Sequence, residues 1–99
     1  MNRGDSDICV AVGQLAARLM NEADATLASI DACIKAAADQ RAQLLVLPEC
    51  AYPAYLLGSV ASYRSSGHMN GEAFVAWLAR RASQARLHIV SGFVEDTGT

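Results

Sequence analysis

The stretch Leu44-Leu45-Val46-Leu47-Pro48-Glu49 decides the fold that we predict for this chain. Four consecutive branched apolar residues are typical of a strand that is buried on both faces, as in a parallel sheet. Pro48 has no N–H group to donate to a central ladder, so the strand is expected to end there. Glu49 then lies at the carboxyl end of a buried strand, where the binding crevices of open α/β sheets form.

Two further apolar runs flank this central strand in the sequence. Residues 8–12 and 88–94 predict a first and a third strand. With the helical segments between them, the order is β-α-β-α-β, which implies a parallel α/β sheet with right-handed crossovers. Three strands and two helices are expected to leave an open sheet edge and one uncovered apolar face.

Two segments show the three- and four-residue apolar spacing of amphipathic helices. The first is expected to run from an N-cap at Asn21, with Asp24 completing an approximate capping box, to about residue 40. The second is expected to follow Asn70 and to end near residue 85. The apolar residues expected on or beside the buried faces are Leu27, Ile30, Ile34, Ala37, Phe74, Val75, Leu78, Ala82 and Ala85. The arginines expected on a solvated face are Arg80, Arg81 and Arg86.

Composition narrows the classes of function. The 99 residues are 53% hydrophobic, which predicts one globular domain with a single core. A net charge of −2 without a basic stripe gives no footprint for nucleic acid, and no apolar run is long enough to span a membrane. The N-terminal residues 1–7 are polar and lack the apolar stretch of a signal peptide, so a cytoplasmic location is expected.

No metal or cofactor site is expected from the residue pattern. The three cysteines are too few and too scattered for a disulfide framework or a zinc site, and no glycine-rich nucleotide-binding motif is present. His68 is interpreted as a solvated loop residue and His88 as a structural residue at the start of a strand. Neither histidine has further ligands at metal-binding spacing.

Glu49 has two interpretations on residue chemistry alone. It is either a solvated or helix-capping carboxylate at a strand end, or a general base. The second interpretation requires that Leu47, Pro48 and Ala51, with the nearby tyrosines, desolvate it, since desolvation raises the pKa of a carboxyl group. Cys50 is not favoured as a nucleophile, because neighbouring side chains in extended chain point to opposite sides.

The order of these features resembles the N-terminal part of the nitrilase superfamily, the carbon–nitrogen hydrolases. Residues 10–14 resemble the family's opening strand, which ends in glutamine, and residues 42–49 resemble its segment ending in Leu-Pro-Glu. Pro53 and Tyr55 fall where the family has Pro-Gly-Tyr or Thr-Gly-Tyr. Gly92 falls in the family's glycine-containing third strand.

The resemblance, over residues 7–98, implies a four-layer α-β-β-α sandwich and a Glu-Lys-Cys triad in which Glu49 is the general base. The substrate it implies is a small nitrile or amide, with no cofactor, and the intact family is expected to be homo-oligomeric. Tyr55 and Tyr52 follow the glutamate and are candidates for substrate binding. Their alternative role is to pack the loop against the core with their hydroxyls at the surface.

Departures from the family pattern leave other readings open. The family's lysine and cysteine lie beyond the third strand, whereas Lys35 lies in the first helix and Ala54 replaces the usual glycine. Residues 1–99 are therefore expected to be a partial domain, truncated before the lysine and cysteine motifs and inactive alone. The alternative is a non-catalytic α/β module that binds a partner or self-associates through its open sheet. An independent enzyme that pairs Glu49 with Cys50 is the third and least favoured reading.

Overall fold

The structure, a computed structural model, describes residues 7–98 as a small α/β unit with one three-stranded parallel sheet. The elements in chain order are β1 (Val10–Val12), a 3-10 turn (Met20–Glu22), α1 (Ala23–Asp39), β2 (Leu44–Val46), α2 (Val60–Ser65), α3 (Gly71–Ala85) and β3 (His88–Val90). The strand order is β1-β2-β3, and both neighbouring pairs are parallel. The α/β fold with a parallel sheet is confirmed.

Some expectations concern residues beyond this range. The expected cytoplasmic location rests mainly on residues 1–6, which lie, with residue 99, outside the described part of the chain. Within residues 7–98, no helix has the length and apolar character needed to cross a bilayer.

One face of the sheet forms the core against α1 and α3. Ala11, Leu45 and Ile89 are in register across the three strands and point to this face. Leu45, on the central strand, is 1% exposed and belongs to the same buried cluster as Ile30 of α1 and Phe74 of α3. The alternation along each strand therefore places one residue in three under the helices.

The opposite face of the sheet is uncovered, as the element order indicates. Val12, Val46 and Val90 are in register on this face, and Val12 is 71% exposed. Leu44 and Val46 are only half-buried. The prediction that the central strand is buried on both faces is therefore wrong for this chain by itself, because helices pack on one side only.

Helix α1 begins later than the sequence indicates. Asn21 lies within the 3-10 turn and caps nothing, so the expected capping box with Asp24 is wrong. Instead, the carboxylate of Glu22 accepts a hydrogen bond from the N–H of Leu19, 3.0 Å away. The longer glutamate side chain reaches back across the turn, and the α-helix starts at the next residue.

Helix α3 begins as predicted. The Oδ1 atom of Asn70 accepts a hydrogen bond from the N–H of Ala73, 2.8 Å away, which is an N-cap. Phe74 is fully buried, whereas Val75, which was expected beside the buried face, is 48% exposed. Consecutive helical residues are separated by about 100° around the axis, which turns Val75 away from the core.

Arg81 links the two long helices. The prediction that it lies on a solvated face is therefore wrong. Its Nε atom is 2.6 Å from Oδ1 of Asp31 on α1, and its guanidinium group lies 3.8 Å from the ring centroid of Trp77. The side chain is partly shielded from water. The tertiary pairing of α1 with α3 overrides the local polarity pattern.

We expect Phe74→Ala to lower the free energy of unfolding by about 3–5 kcal/mol, because it removes a fully buried aromatic ring and leaves a cavity. Val75→Ala, one residue along the same helix, should change it by less than about 0.5 kcal/mol. Urea unfolding followed by circular dichroism measures both. Equal losses for the two variants would contradict the assignment of the core face.

Candidate functional site

The pairing of β2 with β3 continues beyond both strands, but out of register. Val46 pairs with Val90, and Tyr52 pairs with Phe93. The β2 side therefore takes six residues to cover the length that three residues cover on the β3 side. Three extra residues are accommodated in a turn, residues 48–50, which we call the Glu49 turn.

Backbone hydrogen bonds hold the ladder on both sides of the Glu49 turn. Before it, the N–H of Leu47 donates to the carbonyl of Val90 at 2.8 Å. After it, the N–H of Val94 donates to the carbonyl of Tyr52 at 3.0 Å. The turn is thus an insertion at the carboxyl end of the central strand, anchored at both ends.

Glu49 lines a cleft of about 250 Å³. The other residues that line this cleft are Leu15, Ala16, Ala17, Thr26, Pro48, Cys50, Ala51, Ala54 and Tyr55. The Glu49 side chain is exposed, so the desolvation expected from its neighbours is not provided by this chain alone. Leu47 and Ala51 are buried beneath the turn and do not cover the carboxylate.

Cys50 does not turn away from the cleft. Its φ angle is +50°, in the left-handed region, and it lines the same cleft as Glu49. The prediction of opposite directions assumed extended chain, and this segment is a tight turn. Cys50 is a free, half-buried thiol.

The two tyrosines after the turn occupy different environments. Tyr55 is 59% exposed and lines the cleft with Glu49. Tyr52 is 3% exposed, its ring stacks on Phe74 at 4.7 Å, and its hydroxyl accepts a hydrogen bond from the N–H of Met69 at 3.0 Å. Burial raises the pKa of Tyr52 above its ordinary value. The geometry favours packing of the loop as the role of Tyr52 and keeps Tyr55 beside the carboxylate.

Comparison with known proteins identifies the family. The family model described as Carbon-nitrogen hydrolase matches residues 9–99, nearly the whole chain. The chain belongs to the carbon–nitrogen hydrolase family. No curated protein and no solved structure matched it.

Other polar groups of this carbon–nitrogen hydrolase chain lie away from Glu49. Lys35 is exposed on α1, and it does not line the cleft. His88 is exposed at the start of β3, at the opposite end of the strand from Gly92. In the part of the chain from residue 7 to residue 98, no three His, Cys, Asp or Glu side chains are grouped to hold a metal ion.

The prediction that His68 is a solvated loop residue is also wrong. His68 is half-buried, not solvated, with its ring 4.4 Å from that of Tyr63 and 6.3 Å from that of Tyr52. Its Nδ1 atom is hydrogen bonded to the hydroxyl of Ser66. Burial lowers the pKa of His68 below its ordinary value. No local pattern predicts this packing, because Tyr52 lies in the segment after the Glu49 turn and Tyr63 lies in α2.

The stability of the chain should depend on the charge of His68. A lowered folded-state pKa means that protonation favours the unfolded chain. The stabilisation by neutral His68 is complete above the pKa of histidine in the unfolded chain, about 6.5. It is lost as the pH falls through the lower pKa of His68 in the folded chain. We expect the urea concentration at the unfolding midpoint of the wild type to decrease when the pH is lowered from 7.5 to 5.5. The decrease should be smaller in His68→Gln.

His88→Gln, at an exposed site, is the matched control and should keep the wild-type pH dependence. The same pH dependence in His68→Gln and wild type would contradict the role of His68.

Proposed function

We propose that this chain provides the general base, Glu49, of a carbon–nitrogen hydrolase that acts on small nitriles or amides through a Glu-Lys-Cys triad. The observation that carries the proposal is the insertion at the end of the central strand. It projects one exposed carboxylate, anchored by backbone pairing on both sides, into a cleft at the carboxyl edge of a parallel sheet. Family membership supports the reaction class.

In the proposed reaction, Glu49 accepts the proton of a cysteine thiol. The thiolate then attacks the carbon of the nitrile or amide, and the lysine stabilises the negative charge that develops on the substrate. With an amide, the C–N bond then breaks, and the amine or ammonia leaves with the proton that Glu49 returns. With a nitrile, water first adds to the thioimidate, and ammonia then leaves in the same way. A second water hydrolyses the remaining thioester to the carboxylic acid and restores the thiol. The only lysine of the chain, Lys35, is exposed on α1. We therefore assign the lysine to sequence beyond this chain. We assign the nucleophilic cysteine there as well, because the family resemblance places that cysteine beyond the third strand and aligns none of the three cysteines of this chain with it.

The uncovered face of the sheet supports a four-layer α-β-β-α sandwich as the complete architecture. It presents Val12, Val46 and Val90 as a continuous apolar row. A second sheet packs on such a face at about 10 Å. If the rest of the proposed sandwich also covers the cleft, it would desolvate Glu49, and desolvation raises the pKa of a carboxyl group toward the range that a general base requires.

We expect Glu49→Gln to lower kcat by about 10²–10⁴-fold in the complete enzyme, because an amide cannot accept the proton. The measurement is ammonia release from a nitrile or amide panel by the protein made from this coding sequence together with the adjoining sequence that encodes the lysine and cysteine. Glu72→Gln, an exposed glutamate in the first turn of α3, is the control and should keep full activity.

Two results would contradict the proposed function. One is wild-type activity in Glu49→Gln. The other is the absence of any lysine and cysteine motif of this family in the adjoining coding sequence.

The same uncovered face favours a second candidate function, a non-catalytic module that self-associates. Val10, Val12 and Val90 are 50%, 71% and 56% exposed on the two edge strands. Isolated exposed valines are ordinary, whereas an in-register apolar patch marks an interaction surface. A second copy of the chain, packed face to face, would bury both patches.

For this candidate we expect the wild-type chain to be a dimer in size-exclusion chromatography with light scattering, and Val90→Lys to be a monomer. A charge buried within an apolar interface loses its hydration without a partner. Val75→Lys, at a similarly exposed valine on α3, should remain dimeric. A monomeric wild-type chain would remove this candidate.

A further inference from the structure

Gly92 lies directly beneath the Glu49 turn. Its N–H donates to the carbonyl of Pro48 at 3.3 Å, and its carbonyl accepts from the N–H of Ala51 at 3.1 Å. One residue on the β3 side therefore bonds to the backbone on both sides of Glu49. These two hydrogen bonds close the turn where the regular ladder is interrupted.

A side chain at position 92 would crowd the backbone of the Glu49 turn. A Cβ atom built there would lie 3.0 Å from Cα of Glu49, 3.1 Å from N of Cys50 and 3.2 Å from O of Pro48. All three are backbone atoms, which cannot rotate away as the end of a side chain can. The φ angle of Gly92 is not in the positive region, so the glycine is required here for close approach and not for backbone conformation.

The Glu49 turn has little freedom to absorb a displacement elsewhere. The pairing of Leu47 with Val90 fixes the chain before it. Tyr52 fixes the chain after it through its pairing with Phe93 and its ring stacking on Phe74. A side chain added at position 92 must therefore displace the turn itself, and with it the Cα atom of Glu49.

We infer that Gly92 is a positioning residue for Glu49: its missing side chain and its two backbone hydrogen bonds set the place of the carboxylate at the end of the central strand. The consequence for catalysis rests on the proposed role of Glu49 as general base. The geometric part does not, and it can be measured on the chain alone.

The first measurement uses the wild-type chain and NMR couplings across hydrogen bonds. Couplings are expected from N of Ala51 to the carbonyl carbon of Gly92 and from N of Gly92 to that of Pro48. The coupling from N of Leu47 to the carbonyl carbon of Val90 serves as the internal reference. Detection of the reference coupling without the other two would overturn the inference, and this result needs no variant to fold.

The second measurement is amide hydrogen exchange in Gly92→Ala. We expect the amide of Ala51 to exchange about tenfold faster, as for the loss of one hydrogen bond, and the amide of Leu47 to be unchanged. Gly71→Ala is the matched control. Its Cβ would lie 2.8 Å from Cε2 of the Phe93 ring, a side-chain atom that can give way, so the backbone pairing of Phe93 with Tyr52 is expected to persist. Unchanged exchange at Ala51 in Gly92→Ala, or equal acceleration in Gly71→Ala, would overturn the inference.

The third measurement is the activity of the complete enzyme. A displaced base loses alignment with the thiol, so Gly92→Ala should lower kcat by up to about 10²-fold with KM nearly unchanged. Gly71→Ala should keep the wild-type kcat. A general loss of folding would instead lower the active fraction of enzyme, which titration of the reactive cysteine measures separately.

The outcomes separate the two ideas. If Glu49→Gln abolishes activity and Gly92→Ala keeps it, the positioning role fails and the proposed function stands. If Gly92→Ala alters exchange at Ala51 and Glu49→Gln keeps full activity, the proposed function fails, and Gly92 still sets the geometry of the turn.

Discussion

The candidate site depends on one constraint, which is that the central strand and its neighbour pair again after the Glu49 turn, three residues out of register. The pairings of Val46 with Val90 and of Tyr52 with Phe93 are both backbone interactions, and neither can shift without breaking hydrogen bonds. The three extra residues must therefore project from the sheet. Glu49 is in the middle of this projection, so its exposure follows from the ladder and not from a flexible loop.

The resumed pairing also explains why the segment after the turn is so well buried. Once Tyr52 pairs with Phe93, its ring lies on Phe74 of α3, and its hydroxyl lies within reach of the backbone of Met69. His68 then packs against the same ring. Tyr52, which the family resemblance made a candidate for substrate contact, instead supports the turn that carries the carboxylate.

Helices cover the sheet on one face only. The helices cover Leu45 and its neighbours, while the valines of the opposite face remain in contact with water. Exposed apolar area on a continuous sheet face is costly, at roughly 25 cal/mol per Å². This cost is the physical reason that both candidate functions, the proposed part of a larger hydrolase and the self-associating module, place a second apolar surface against the same face.

The sequence by itself determined the local elements and the position of Glu49. Apolar patterning predicted the three strands and the two long helices but not α2, Asn70 marked the start of α3, and proline after an apolar run placed the carboxylate at a strand end. Only the tertiary structure decided the direction of Cys50, the close approach of Gly92 and the burial of Tyr52. The reason is that periodicity is a property of neighbouring residues, whereas these three features depend on a register shift between segments about forty residues apart, which no local pattern encodes.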